Sequence, residues 1–251
     1  MNGELYGQIL RRRSFHYFKD VGDESLTAAE LSDIEKAWQG FTPLYPEIKT
    51  EIRIVRESET NCRLGAEYCV LIYSEAKDGC LPNVGYLGEQ LDLWLVSKGV
   101  GTLWCGIGKP KVAAPEGLEY VIMIAIRKVD DPSKFRNGAA DFRRKAADEI
   151  WEGEQLAGVT DLVRFAPSAC NSQPWLVKND GGISVFRRGK TGLGGIVSAF
   201  GMLRFNRIDM GIFLCFLEVC LEREGFAFER RLCADVGGDS ERALNAVYKI
   251  K

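Results

Sequence analysis

The stretch RFAPSACNSQPWLVKND, residues 164–180, decides how the rest of this sequence is interpreted. It crowds small, polar and aromatic residues together, far from either terminus. Its pattern matches neither the 3.6-residue period of a helix nor the alternation of a half-buried strand. We therefore predict a loop here, neither helix nor strand, and ask what ligand such a loop would serve.

Composition limits the classes of function that need consideration. The chain has 251 residues, 46% of them hydrophobic, with 33 Lys and Arg against 35 Asp and Glu. It can therefore bury a sizeable core, in one large domain or two small ones. A formal net charge of -2 and a pI of about 5.7 give no electrostatic reason to expect nucleic acid or an anionic membrane surface as the partner.

Neither a secretory signal nor a membrane span is expected from the sequence. The N-terminal residues place their charges after a short apolar run and lack a small-residue cleavage pattern. No segment approaches the length of a membrane-spanning helix. We expect a cytoplasmic protein.

The cysteines are scattered and contain no C-x-x-C pair. They stand at positions 62, 69, 80, 105, 170, 215, 220 and 233, mostly inside apolar runs. This pattern predicts reduced, packed thiols. With a single histidine in the chain, we expect no metal site.

The first half of the chain alternates helices and strands. Thr27 and Glu30 form a capping-box pattern at the start of a helix over residues 26–38. Further predicted elements are strands at 51–57 and 67–75, a helix over 85–99 that ends at Gly99, and a buried strand at 119–128.

A charged segment with Pro and Gly, residues 130–144, is interpreted as a linker, after which similar elements recur. They are a helix over 151–167, a strand at 181–188, a helix over 208–225 and a strand at 226–233. Pro43 and Gly101 bracket the elements of the first half, and Pro167 and Gly225 stand 124 positions later. We infer an internal duplication; the alternative is two unrelated halves of similar rhythm.

Two glycine-containing segments fail as nucleotide motifs. GIGKP lacks the flanking residues of a P-loop, and GVGTLW lacks the third glycine of a dinucleotide fingerprint. On the residues alone, Gly99 is a helix cap and Gly101 a turn. The cluster RRRSFH, residues 11–16, offers guanidinium forks and a hydroxyl that suit a phosphate, or else it is a solvated basic helix end.

Three segments together resemble the nitroreductase family of FMN enzymes, in its single-chain branch. RRSFH resembles the family's phosphate-gripping R-x-S-x-[RK], with Arg12 and Ser14 in place and His16 where Arg or Lys is usual. PSACNSQPW resembles the loop that packs on and hydrogen-bonds the flavin ring. GVGTLWCG is similar to the segment whose backbone lies beside the reactive edge of the flavin. The residues implied at the ring are Pro167, Ser168, Asn171 and Gln173 from the loop, and Trp104, Cys105 and Gly106 from the third segment.

The resemblance implies an α+β fold of two tandem half-size repeats, with central antiparallel sheets flanked by helices. Repeat 1 spans residues 1–135 and repeat 2 spans 145–251. Because the phosphate grip occurs in one half and the ring loop in the other, we expect one composite flavin site per chain. The chain would be a monomer that mimics the family homodimer.

The resemblance also answers the opening question and implies the chemistry. A flavin ring needs small residues for close approach, amides for its rim and stiffening prolines, and the loop supplies all three. NADH or NADPH would reduce bound FMN, and a small nitroaromatic or quinone would be reduced in turn. This scheme requires no particular catalytic side chain, and none is named. Cys170 is interpreted as a packing residue.

Alternatives stay open at this point. The chain could hold flavin for storage or sensing without turnover, catalyse other flavin chemistry on the same fold, or serve as a flavin-free scaffold. The glycine-rich and basic residues 181–195 form either a mobile lid, a phosphate-facing loop or an exposed loop.

Overall fold

A computed structural model describes residues 2–189, 201–238 and 241–251. Apart from the first two residues, the chain divides into two compact units. Unit 1 comprises residues 3–80 and 87–141, and unit 2 comprises residues 81–86 and 142–251. Of residues 181–195, those from 190 onward lie outside the described residues, so the structure does not test whether this segment forms a lid.

Unit 1 is built on a four-stranded antiparallel sheet in the order β1-β2-β4-β3. Its strands are β1 (Thr50–Arg56), β2 (Tyr68–Ser74), β3 (Val100–Cys105) and β4 (Glu119–Lys128). Its helices are α1 (Asn2–Tyr6), α2 (Ala28–Gln39) and most of α3 (Cys80–Ser97). All seven residues of β2 are buried, which explains the unbroken apolar run in the sequence.

Local signals set the ends of these helices. Thr27 accepts a hydrogen bond from the backbone N–H of Glu30, and the Glu30 carboxylate accepts one from the backbone N–H of Thr27. The predicted capping box is therefore confirmed. Gly99, with φ +74°, follows α3 in the left-handed conformation that the cap prediction required.

Unit 2 is built on a five-stranded sheet in the order β5-β6-β7-β9-β8. Its strands are β5 (Trp151–Gly153), β6 (Trp175–Asn179), β7 (Ile183–Arg187), β8 (Phe228–Leu232) and β9 (Ala243–Ile250). Its helices are α4 (Ala147–Ile150), α5 (Thr160–Val163) and α6 (Met202–Arg223). β5 pairs with β6 in parallel, and the other neighbours are antiparallel. The ring of Trp175 stacks on Phe213 with centroids 4.9 Å apart in the core.

Close helix packing in unit 2 depends on two glycines. A Cβ atom at Gly85 of α3 would lie 2.0 Å from the carbonyl oxygen of Ile208, and one at Gly211 of α6 would lie 1.9 Å from that of Pro82. No side chain fits at either position, because both obstacles are backbone atoms. The two contacts are reciprocal, since each glycine is covered by the residue three positions before the other one.

Several sequence predictions are corrected by the structure. The predicted helix over 151–167 is wrong, because Gly153 and Gly158 adopt φ +88° and +73° and only α5 and the strand β5 form there. The prediction that residues 164–180 contain no strand is wrong for β6. Gly101 lies inside β3 and makes no turn. The strand β9 was not predicted.

The segment interpreted as a linker, residues 130–144, is structured. It contains the 3₁₀ turns Pro132–Lys134 and Ala139–Asp141. Phe135 is buried in unit 1, where its ring meets Phe15 edge-on at a centroid distance of 5.6 Å. This packing fixes the residues next to Phe135 close to the N-terminal segment.

Candidate functional site

The loop of residues 167–175 in unit 2 has an unusual backbone. Cys170, Asn171 and Gln173 have φ of +50°, +54° and +49°, in a region that residues with side chains rarely adopt. The hydroxyl of Ser168 accepts a hydrogen bond from the backbone N–H of Gln173 at 2.9 Å, which closes the loop on itself. Such strain persists only where the surroundings impose it, and it is concentrated at functional sites.

The two amide side chains of the loop are braced against residues 143–145. Asn171 is exposed; its Oδ1 accepts from Arg144 Nη1 at 2.7 Å and its Nδ2 donates to the Arg143 carbonyl at 3.0 Å. Gln173 is buried; its Oε1 accepts from the backbone N–H of Lys145 at 2.8 Å and its Nε2 donates to the Asn171 carbonyl at 3.2 Å. These bonds hold the loop, and contact of either amide with a flavin stays a prediction.

A buried carboxylate of α6 holds the start of the loop. Both oxygens of Asp209 accept from the backbone N–H of Ala169, at 3.0 and 3.2 Å. Burial raises the pKa of Asp209 to about 8, against the opposing effect of the Ala169 hydrogen bond. Pro167 is buried, Ser168 is half-buried and Cys170 is exposed. The sequence analysis missed Asp209, which stands inside an apolar helical run.

In unit 1, Asp92 of α3 joins two of the three segments that carry the resemblance. Its Oδ2 accepts from Arg12 Nε at 2.7 Å and from Trp104 Nε1 at 2.9 Å. Its Oδ1 accepts from the hydroxyl of Thr102 at 2.5 Å. Arg12 and Asp92 are both buried. The N-terminal segment and β3 are therefore fixed to the same buried carboxylate.

Arg12 is held in an internal ion pair. Besides Asp92, the buried Glu89 approaches its Nε at 3.6 Å. Burial lowers the pKa of Arg12, but the two carboxylates outweigh it and the pKa is raised overall. Its terminal nitrogens lie 3.4 Å from the Ser14 hydroxyl. With 1% of its surface exposed, Arg12 positions Ser14, and its own contact with a phosphate stays a prediction.

More accessible cations surround this ion pair. Arg13 is exposed and donates to the Lys134 carbonyl at 2.9 Å, and Arg136 is half-buried and donates to the Arg12 carbonyl. Burial, and then the charges of Arg12 and Arg13, lower the pKa of Arg136 to about 10. The sequence analysis missed Arg136 because it lay in the segment interpreted as a linker. His16 is exposed.

The third predicted segment lies at the end of β3. Trp104 is half-buried, Cys105 is buried and Gly106 is exposed. The strand segment before them is tied to the N-terminal segment, because the backbone N–H of Phe15 donates to the Thr102 carbonyl at 3.0 Å. Unit 1 therefore brings together the residues of RRSFH and GVGTLWCG that the resemblance singled out.

The family is shown by comparison with known proteins. A family model described as "Putative TM nitroreductase" matches residues 4–220. The chain belongs to this nitroreductase family. The resemblance drawn from the three segments is confirmed.

This nitroreductase-family chain is similar to several solved structures. The crystal structure of a putative nitroreductase (TM1586) from Thermotoga maritima is 17% identical, with a TM-score of 0.61 over 98% of this chain and 93% of that chain. The structure of a nitroreductase with bound FMN from Desulfitobacterium hafniense DCB-2 is 13% identical, with a TM-score of 0.43 over 57% of this chain and 98% of that chain. No significant match is found among curated protein sequences. The first likeness establishes the mixed α+β fold.

Two buried thiols of this nitroreductase-family chain are poorly suited to react. None of the eight cysteines forms a disulfide. Burial raises the pKa of Cys105 above its usual range and that of Cys69 to about 11, so neither is a ready thiolate. Within the described ranges, no cluster of His, Cys, Asp and Glu side chains suits a metal ion. No described helix is both long and apolar enough to cross a bilayer.

Proposed function

We propose that this chain is an FMN-dependent oxidoreductase that uses NADH or NADPH for the two-electron reduction of nitroaromatic or quinone-like small molecules by a ping-pong hydride mechanism. The observation that carries the proposal is the loop of residues 167–175. It holds three non-glycine residues in the left-handed conformation and is braced from α6 and from residues 143–145. Strain held by so many bonds is expected where a ligand needs a preformed surface.

The residues of unit 1 suit the phosphate end of FMN. Arg13 and Arg136 add positive charge to the segment that carries Ser14, and a phosphate is recognised by guanidinium forks and hydroxyl donors. Arg12 keeps Ser14 in place, because its terminal nitrogens lie beside that hydroxyl. His16, at the position where the family has Arg or Lys, is exposed and is proposed to lie at this end.

In unit 2, the residues proposed to contact a flavin ring are Pro167, Ser168, Asn171 and Gln173 of the loop. In unit 1, the proposed contacts are the backbone of Trp104, Cys105 and Gly106. Asn171 is exposed and Ser168 half-buried, so both can reach a ligand as the loop stands. Gln173 is buried and sets the loop conformation through Lys145 and Asn171. A planar ring with polar edges fits this mixture of stiff backbone and amide groups.

Bound FMN would supply the redox chemistry itself, taking two electrons from a pyridine nucleotide and passing them to an oxidised acceptor. The task left to the protein is binding and orientation. The buried thiol of Cys105 fits this division, because its raised pKa makes it a poor nucleophile. We therefore assign no catalytic side chain.

We also propose that the chain arose by duplication, with repeats at 1–135 and 145–251. The strands β1-β2-β4-β3 of unit 1 and β6-β7-β9-β8 of unit 2 have the same order, and a long helix follows the second strand of each set. RRSFH and GVGTLWCG occur once, as does the loop signature, so one FMN per chain is expected. A monomeric state and a cytoplasmic location belong to the same proposal.

Initial rates test the proposed mechanism. With NADH or NADPH varied at several fixed concentrations of a nitroaromatic, parallel double-reciprocal lines are expected. Intersecting lines would contradict the ping-pong order. Tight FMN binding without turnover of either nucleotide would favour the alternative of flavin storage, and turnover with a different product would favour other flavin chemistry on this fold.

A further inference from the structure

Near its start, the loop of residues 167–175 makes a hydrogen bond to a buried carboxyl group, that of Asp209. Asp209 lies on α6 between Ile208 and Met210, and all three are buried. Only 3% of Asp209 is exposed. Both carboxylate oxygens point to one donor, the backbone N–H of Ala169. A buried carboxylate is ordinarily stabilised by a cation or by several donors, so one shared N–H leaves this one poorly compensated.

Charged side chains on or beside the neighbouring elements bond to other groups. Arg187 of β7 pairs with Asp235, and Arg164, at the end of α5, donates to the carbonyls of Asp161 and Lys145. Arg207, two residues before Asp209, donates to the carbonyls of Asp235 and Gly237. Tyr86, from the start of α3, donates to Glu218. Within the loop, the one titratable side chain is that of Cys170, which is exposed. Burial raises the pKa of Asp209, and the hydrogen bond from Ala169 opposes that rise.

We propose that Asp209 is a positioning residue whose protonation state sets the stability of the closed loop of residues 167–175. In the acid form, a carbonyl oxygen accepts from Ala169 without placing a charge in the apolar interior. In the carboxylate form, the ordered loop buries a charge that local opening would expose to water. We call the hydrogen bond between Asp209 and the Ala169 N–H the clamp. Contact of the loop with a flavin rests on the proposed function, whereas the clamp does not.

The sign of the pH dependence follows from linkage. The pKa of Asp209 is raised to about 8 in the ordered loop, above the usual value that it regains when opened to solvent. Opening therefore releases a proton, and the ordered loop is favoured at low pH. The equilibrium constant for opening of the loop rises by about tenfold per pH unit as pH approaches the raised pKa. Above that pKa the constant levels off.

Amide hydrogen exchange at Ala169 in the flavin-free protein tests the clamp, because this N–H is the bonded donor. The matched variant is Asp209→Asn, which keeps a carbonyl acceptor and removes the ionisation. Base catalysis of exchange affects both proteins equally, so the ratio of their rates isolates Asp209. The ratio of wild type to D209N is expected to rise by about tenfold per pH unit between about pH 6 and 8. A ratio that does not change with pH would overturn the proposal.

A second variant, Asp209→Leu, removes the acceptor. Ala169 should lose protection at every pH while Phe216, further along α6, keeps it; unchanged protection of Ala169 would also overturn the proposal. If this variant fails to fold, the D209N comparison decides. Saturating FMN should slow exchange at Ala169 in wild type and D209N alike. No effect of FMN in either protein would count against the proposed function and leave the clamp standing.

Discussion

Replacing Arg12 by Met removes the guanidinium that faces the buried carboxylates of Asp92 and Glu89. Asp92 lies 2.7 Å and Glu89 3.6 Å from Arg12 Nε, and neither carboxylate is exposed. Breaking a buried ion pair from one side costs about 3–5 kcal/mol. Total stabilities are about 5–15 kcal/mol, so R12M should be severely destabilised. Arg13→Met is the matched control: this neighbour is exposed, and such changes are usually worth less than about 0.5 kcal/mol.

Urea unfolding of wild type, R12M and R13M measures the two losses of free energy of unfolding. R12M should lose several kcal/mol, whereas R13M should stay close to wild type. An R12M variant as stable as R13M would refute the reasoning.

Three further predictions follow from single residues. Gly211→Ala places a Cβ 1.9 Å from the Pro82 carbonyl oxygen and should lower the melting temperature by many degrees. Gly3→Ala is the control, because its Cβ meets nothing within 4 Å. Equal melting temperatures for the two variants would contradict the packing at Gly211. Helix-cap hydrogen bonds and an ion pair lower the pKa of Glu30 to about 2, so it stabilises the fold above its unfolded pKa and loses this effect as pH falls toward 2. Glu30→Gln should therefore be less stable than wild type at pH 6 and equal near pH 2 in thermal unfolding. Asn171 has φ +54°, so Asn171→Gly loses only the side-chain bonds to residues 143 and 144, whereas Asn171→Ala loses them and strains the backbone as well. In FMN titrations, Asn171→Ala should therefore lose more affinity than Asn171→Gly, and equal losses would contradict a role for the backbone conformation.

Elements governed by neighbouring residues could be predicted from the sequence. The capping box at Thr27, the left-handed Gly99 and the buried strand β4 each depend on a few adjacent positions. The helix predicted over 151–167 does not form as one element, because the backbones of Gly153 and Gly158 leave the helical region.

The supports of the candidate site could not be predicted in this way. Asp92 and Asp209 stand within apolar helical runs, and their partners lie 80 and 40 positions away. Arg136 meets Arg12 across 124 positions. Contacts between residues so far apart along the chain leave no local pattern in the sequence. The loop signature itself was visible because its residues are consecutive.

The anaerobic absorbance spectrum of the purified protein with FMN tests the central claim most directly. The account predicts a bound-flavin spectrum with one FMN per chain that bleaches on addition of NADH or NADPH and returns when a quinone is added. Bound flavin that neither nucleotide bleaches would contradict the reductase, and a protein that leaves FMN free in solution would contradict the flavin site.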